Sequence, residues 1–192
     1  MLNIASVAPR SEIYGPGVRF VIWVQGCALG CPGCWNTELW SLEPRRLMSP
    51  DELAREILRD DGLEGITLLG GEPMHQARGL LRLVRLVRRR GLSVMTYTGF
   101  EPVELRAREQ RALAMRSDIL VTGRYVAAER DVQLRWRGSR NQQVRFPTPR
   151  YRGLGPEEAN EVEITLDANG VASLRGYPPE WLLDRRRSRL LV

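Results

Sequence analysis

Cys27, Cys31 and Cys34 are the only cysteines in the chain, and they lie within eight residues of one another. An odd number this close forms no closed disulfide framework, and a reducing compartment keeps all three as available thiols. Thiolates clustered in one loop suit a soft metal centre, either zinc or iron–sulfur. A structural zinc wants four protein ligands, and His75, the only histidine, is the candidate fourth. An iron–sulfur cube held by three cysteines instead keeps one iron open for a substrate or cofactor. Three features favour the open cluster. Gly26, Gly30 and Gly33, with Pro32, let the loop wrap tightly around something bulky. The loop follows directly on an apolar strand, Val18 to Gln25. Gly70-Gly71-Glu72-Pro73 then follows a second apolar strand, Ile66 to Leu69, where a glycine pair bares backbone groups and the carboxylate suits an ammonium ion.

Cys-x3-Cys-x2-Cys followed by an aromatic residue (Trp35), together with the Gly-Gly-Glu-Pro turn, resembles the radical S-adenosylmethionine (SAM) enzymes. One small branch is more similar still. Gly15-Pro-Gly-Val-Arg19, Val24-Gln-Gly-Cys27 and Cys34-Trp35-Asn36 look like the anaerobic ribonucleoside-triphosphate reductase-activating proteins. So do Tyr97-Thr98-Gly99-Phe100, the run from Asp118 to Tyr125, and Arg137 to Gln142. The resemblance covers about residues 10 to 147. It implies that Cys27, Cys31 and Cys34 hold a 4Fe-4S cluster whose open iron takes the amino and carboxylate groups of S-adenosyl-L-methionine. It further implies that Gly70, Gly71 and Glu72 position the SAM ammonium and that Trp35 offers a face to the adenine. Gly33 would keep the loop close beneath that adenine, and Thr96 and Thr98 would meet the ribose or the carboxylate. One electron then cleaves SAM to methionine and a 5′-deoxyadenosyl radical, which takes a hydrogen from a backbone glycine of a partner enzyme. The implied partners are a glycyl radical enzyme, foremost an anaerobic ribonucleotide reductase, and a small electron-donor protein such as a flavodoxin.

Positioning such a site needs strand ends, and the pattern supplies them. Strands alternate with helices, which predicts a parallel sheet with crossover helices in an incomplete, open β/α barrel, an α/β fold. Ser49-Pro50-Asp51-Glu52 is a capping box opening a helix. Leu80, Leu83, Val84 and Val87 face a core opposite Arg78, Arg82, Arg85 and Arg89, and Gly91 stops that helix before a third strand, Leu92 to Thr96. A helix from Pro102 to Met115 leads to strand Asp118 to Thr122. The cluster loop, Gly70 to Glu72, Tyr97 to Gly99 and Gly123 to Tyr125 all follow strands, so four motifs meet on one rim. The expected organisation is a radical SAM core over 1–147 with the cluster loop at 26–36, a linker over 148–156, and a C-terminal β-hairpin extension with a basic tail over 157–192. Asp167-Ala-Asn-Gly170 turns the hairpin.

Composition sets the outer limits. The 192 residues are 43% hydrophobic and 27% charged, as in an ordinary globular chain. The net charge of +6 rests wholly on arginine, with Arg185 to Arg189 forming a basic run. The longest apolar run, Phe20 to Val24, is of strand length, and Met1 to Arg10 lacks a secretory start, so the expected location is cytoplasmic, with no membrane. Two departures from the branch matter. Residues 157–192 run beyond the resemblance, and Ala28-Leu29 stands where a basic or polar pair is usual. They keep open a radical SAM enzyme acting on a small molecule or peptide. A zinc-held basic module binding nucleic acid ranks last, because it leaves the strand-end motifs unexplained.

Overall fold

The computed structural model describes residues 1–154, 161–166, 168–170 and 172–179. The basic tail read from the sequence lies outside these residues. The centre is one mixed sheet of seven strands. In chain order they are β1 (Leu2–Ser11), β2 (Arg19–Val24), β3 (Arg46–Met48), β4 (Gly65–Gly70), β5 (Ser93–Thr98), β6 (Ile119–Thr122) and β7 (Gln143–Arg145). Across the sheet the order is β3-β1-β2-β4-β5-β6-β7.

Only β2, β4, β5 and β6 are parallel; β1, β3 and β7 pair antiparallel with their neighbours. The expected parallel sheet with crossover helices is therefore borne out only for its four central strands, and the edges are antiparallel. A parallel return needs a crossover of a dozen residues or more. The seven residues between β1 and β2 cannot make one. Between β6 and β7 the only regular piece is a 3-10 turn, Ala127–Glu129. The sequence also gave no sign of β1, because two irregularities in its register break the alternation that marks a strand.

Three helices cover one face: α1 (Pro50–Ile57), α2 (Ala77–Arg88) and α3 (Arg108–Arg116). The α1 box is reciprocal, since Ser49 Oγ accepts from the Glu52 N–H at 3.1 Å and Glu52 Oε2 accepts from the Ser49 N–H at 2.8 Å. Phe20, Ile22, Val24, Ile66 and Leu68 pack against Leu80, Leu83 and Val87 of α2 in the main core. The arginine stripe of α2 faces solvent, and Arg82 grips Asp51 of α1 with two 2.7 Å bonds. The helix expected from Pro102 breaks in two. Leu105 turns extended and buries itself at the end of the 3-10 turn Pro102–Glu104, and the helix restarts at Arg108. Arg111 donates to the carbonyls of Leu105 and Arg106 that the break exposes.

The other sheet face carries a smaller core, Met95, Ile119 and Val121 with Phe146 and Tyr151. Arg19 is fully buried there. It donates to Thr67 Oγ1 (2.7 Å), Ser93 Oγ (2.9 Å) and the carbonyls of Pro16 (3.0 Å) and Ile66 (2.6 Å). A Cβ on Gly65 would stand 2.8 Å from Arg19 Nη2, so the glycine makes room for the guanidinium. The Gly15-to-Arg19 motif is thus an internal plug of the sheet. The 3-10 turn Pro149–Tyr151, inside the stretch read as a linker, is tied to the core by Arg150 and Tyr151, which both bond Glu64. β8 (Val162–Leu166) and β9 (Ala172–Gly176) pair antiparallel as a separate two-stranded sheet. Among the described residues, no helix is long and apolar enough to cross a membrane.

Candidate active site

The carboxyl ends of the four parallel strands open on one cavity of about 470 Å³, within the usual range for a small-molecule site. Strand β2 runs into the cluster loop. The loop is closed at its neck, where the Gly26 N–H donates to the Leu39 carbonyl (2.9 Å) and the Cys27 N–H to the Trp40 carbonyl (3.1 Å). Gln25, nearly buried beneath it, donates to the Ser41 carbonyl at 2.8 Å. Inside the neck Gly26, Gly30 and Gly33 take positive φ angles of 102°, 57° and 75°, the left-handed region that only glycine enters freely. Cys27, Cys31 and Cys34 are each partly exposed on the cavity wall. Burial pushes the Cys27 thiol up from its ordinary range, so binding a metal there must release a proton.

Strand β4 delivers the Gly-Gly-Glu turn directly against this neck. The Gly71 N–H donates to the Val24 carbonyl (2.8 Å) and the Glu72 N–H to the Gly26 carbonyl (2.9 Å). A Cβ on Gly71 would lie 2.5 Å from the Gly26 oxygen, and one on Gly70 would lie 2.6 Å from the Val24 nitrogen. Glycine is required because two backbones touch there. Glu72 is 1% exposed. Its Oε1 accepts from the Met74 N–H and the Thr98 hydroxyl, and its Oε2 from the Gly99 N–H, each at 2.8 Å. Desolvation lifts its carboxyl to about 7 despite these bonds.

The sequence-predicted residues divide accordingly. Cys27, Cys31, Cys34, Trp35, Gly70, Gly71, Glu72 and Thr98 share the cavity wall. Two do not. Thr96, two residues deeper on β5, is fully buried and accepts from the Ser117 hydroxyl at 2.8 Å. Gly33 is exposed, with its α-carbon turned toward Ala127 and Tyr125. The Glu72 carboxylate ties β4 to β5, its oxygens taken up by Met74, Thr98 and Gly99. His75 lines a different, shallow depression with Ala28 and Met74, and its ring packs on Phe100. Among the described residues, no three His, Cys, Asp or Glu side chains are grouped for a single metal ion. A cube ligated by three cysteines places each thiolate on a different iron, so the donor set fits the open cluster better than zinc with His75.

Several further side chains wall the cavity, of which only Tyr97 was placed on the rim by its motif. Tyr14 and Tyr97 line the cavity, as does Trp136, whose φ of 59° is a strained value for a bulky residue. Burial holds the Tyr97 hydroxyl protonated well above its ordinary range. Asn141 and Gln142 gain a role as pins: their amides donate to the carbonyls of Arg124 (2.8 Å) and Gly123 (3.0 Å) after β6. Arg124 itself pairs through two bonds with Glu104.

A family model described as a 4Fe-4S single cluster domain matches residues 13–145. The anaerobic ribonucleoside-triphosphate reductase-activating protein of Haemophilus influenzae is 33% identical over 150 residues, which span 73% of this chain and 96% of that one. The protein of the same description from Escherichia coli K12 is 32% identical over 152 residues, spanning 74% and 97%. The chain belongs to this family of anaerobic ribonucleoside-triphosphate reductase-activating proteins, which carry a 4Fe-4S domain. A bacteriophage T4 member is 28% identical over 152 residues. Among solved structures, QueE from Escherichia coli is 24% identical and overlaps 51% of this chain and 52% of its own, with a TM-score of 0.39. The family model ends before β8, so the β8–β9 pair lies outside it.

Proposed function

We propose that this chain is a radical SAM activase that places a glycyl radical on an anaerobic ribonucleotide reductase. One observation carries the reading: three thiols on one loop share a cavity with a Gly-Gly-Glu turn that is hydrogen-bonded to that loop's neck. Cys27, Cys31 and Cys34 would hold the 4Fe-4S cluster. When bound, the cluster supplies the electron that splits SAM into methionine and the 5′-deoxyadenosyl group that takes the partner's glycine hydrogen.

The chain's own residues orient and shield. The backbone groups of Gly70 and Gly71 face the cavity where the methionine amino group would sit. Trp35, 46% exposed at the rim, presents a flat face for the adenine. Glu72 and Thr98 fix the ends of β4 and β5 and so keep the cavity's shape. Tyr14, Trp23 and Tyr97 line it with apolar surface that keeps water from the reacting carbon. Among the described residues the sheet ends in β3 and β7, which supports an open β/α barrel whose gap would admit a macromolecular substrate. The proposed partners are the reductase and a small electron donor such as a flavodoxin, and the proposed location is the cytoplasm. The proposed division is a core over 1–147, a connection over 148–156 and an extension over 157–192.

A second reading, a small molecule or peptide as substrate, is favoured by one observation: Leu174 to Tyr177 of the extension also wall the cavity. Mixing the anaerobically reconstituted protein with SAM, reductant and an anaerobic ribonucleotide reductase decides between them. The activase reading expects a doublet glycyl radical signal by electron paramagnetic resonance on the reductase. SAM cleavage without that signal favours the second reading.

A further inference from the structure

The cavity has a wall that neither the cysteine motif nor the family model accounts for. After β9 the chain returns to the rim and places Tyr177 against Trp35, their ring centroids 5.4 Å apart and their planes at 66°. This edge-to-face geometry is the one aromatic quadrupoles favour. Tyr177 is itself held from two sides. Its hydroxyl donates to the Tyr125 hydroxyl (2.7 Å) and accepts from Arg130 Nε (3.1 Å). The Arg130 guanidinium lies 4.9 Å from the Tyr177 ring centroid and 5.9 Å from that of Trp35, and it also donates to the Pro178 carbonyl at 3.0 Å. One residue earlier, the Gly176 N–H donates to the Tyr14 hydroxyl at 3.0 Å. The extension is thus fastened to the connection between β1 and β2 and to the loop after β6, with its aromatic ring against Trp35.

Trp35 needs such a neighbour. It sits in a glycine-rich loop whose bonded neck lies at residues 26–27 and 39–40, and nearly half of its surface is open. A ring that turns freely makes a poor stacking platform, because binding must then pay to immobilise it. We propose that Tyr177 is a positioning residue: clamped by Arg130 and Tyr125, it holds the Trp35 indole edge-on and sets the face on which the adenine of SAM stacks. This rests on the reading of Trp35 as the adenine platform, and it assigns to the extension a part in the cofactor site.

The test measures binding, with no turnover. Protein carrying its cluster is kept oxidised under anaerobic conditions, and equilibrium dialysis gives its affinity for labelled SAM and, separately, for methionine, which lacks the adenine. Trp35→Ala should weaken SAM binding and leave methionine unchanged. Tyr177→Ala should weaken SAM binding by about three- to ten-fold, the worth of one side chain that must then be immobilised on binding, again with methionine unchanged. Tyr177→Phe keeps the ring against Trp35 and under the Arg130 guanidinium but loses both hydroxyl bonds, so it should bind SAM more tightly than Tyr177→Ala and less tightly than the parent. If Trp35→Ala leaves SAM affinity unchanged, the platform reading fails and the role of Tyr177 falls with it. If Trp35→Ala weakens SAM but Tyr177→Ala does not, the Tyr177 proposal alone is overturned. Equal loss of SAM and methionine in Tyr177→Ala overturns it as well, since that marks a general disturbance of the site.

Discussion

Replacing Glu72 by glutamine should change stability in opposite directions at low and high pH. In the unfolded chain this carboxyl titrates near its ordinary value of 4.5, while burial in the fold lifts it to about 7. Between those values the folded state keeps a proton that the unfolded state has released. Stability therefore falls as pH rises from about 4.5 to about 7 and is level beyond. At about 1.4 kcal/mol for each pH unit, that interval removes about 3 kcal/mol. Glutamine carries no charge and escapes this loss. Its amide nitrogen, however, cannot accept, so either the Met74 or the Gly99 N–H loses the partner it has at 2.8 Å. An unsatisfied buried donor costs about 1–3 kcal/mol. Glu72→Gln should then be about 2 kcal/mol less stable than the parent at pH 5, and as stable or about 1 kcal/mol more stable at pH 8. Urea unfolding of the cluster-free protein, followed by far-ultraviolet circular dichroism at both pH values, measures the difference, and other titrating groups cancel in it. A gap that is equal at both pH values, or wider at pH 8, would refute the account of Glu72 as a buried, desolvated tie.

Other substitutions probe separate parts of the molecule. Gly71→Ala puts a Cβ 2.5 Å from the Gly26 oxygen, so it should cut iron content after reconstitution to less than about half while leaving the circular dichroism spectrum intact. Asp118→Ala should cost about 1–3 kcal/mol by urea unfolding, because it strips the acceptor from the Val94 N–H and frees the partly exposed Arg88. Ser49→Ala removes the α1 cap and should cost about 1 kcal/mol by the same measurement, with no change in iron content.

What the sequence disclosed follows from how local each signal is. The capping box of α1, the arginine-faced α2 and the glycine at its end are set by neighbours in the chain, and the structure keeps all three. The cysteine loop and the Gly-Gly-Glu turn were legible because their chemistry needs residue types at fixed spacing. Pairing partners were less so: β1 hides behind register irregularities and joins β2 by a connection too short for a helix, and the longer β6–β7 connection forms only a 3-10 turn. Within the site, what the sequence could not show was side-chain direction. Thr96 shares a β5 face with Thr98 but lies one full repeat deeper, under Ser117. Glu72 looked like a ligand for an ammonium because its internal donors, Thr98 and Gly99, lie 26 and 27 residues away. Tyr97 was placed on the rim by its motif, but Tyr14 and Tyr177 carry none, since only the folded chain brings them to the cavity.

The claim at the centre is that Cys27, Cys31 and Cys34 hold a cluster that cleaves SAM. The direct measurement is 5′-deoxyadenosine formed by protein reconstituted with iron and sulfide, without oxygen, on addition of SAM and dithionite, with Cys31→Ala beside it. The account predicts a brown parent that forms 5′-deoxyadenosine and a colourless variant that forms none. A colourless parent that binds zinc and forms no 5′-deoxyadenosine would contradict it.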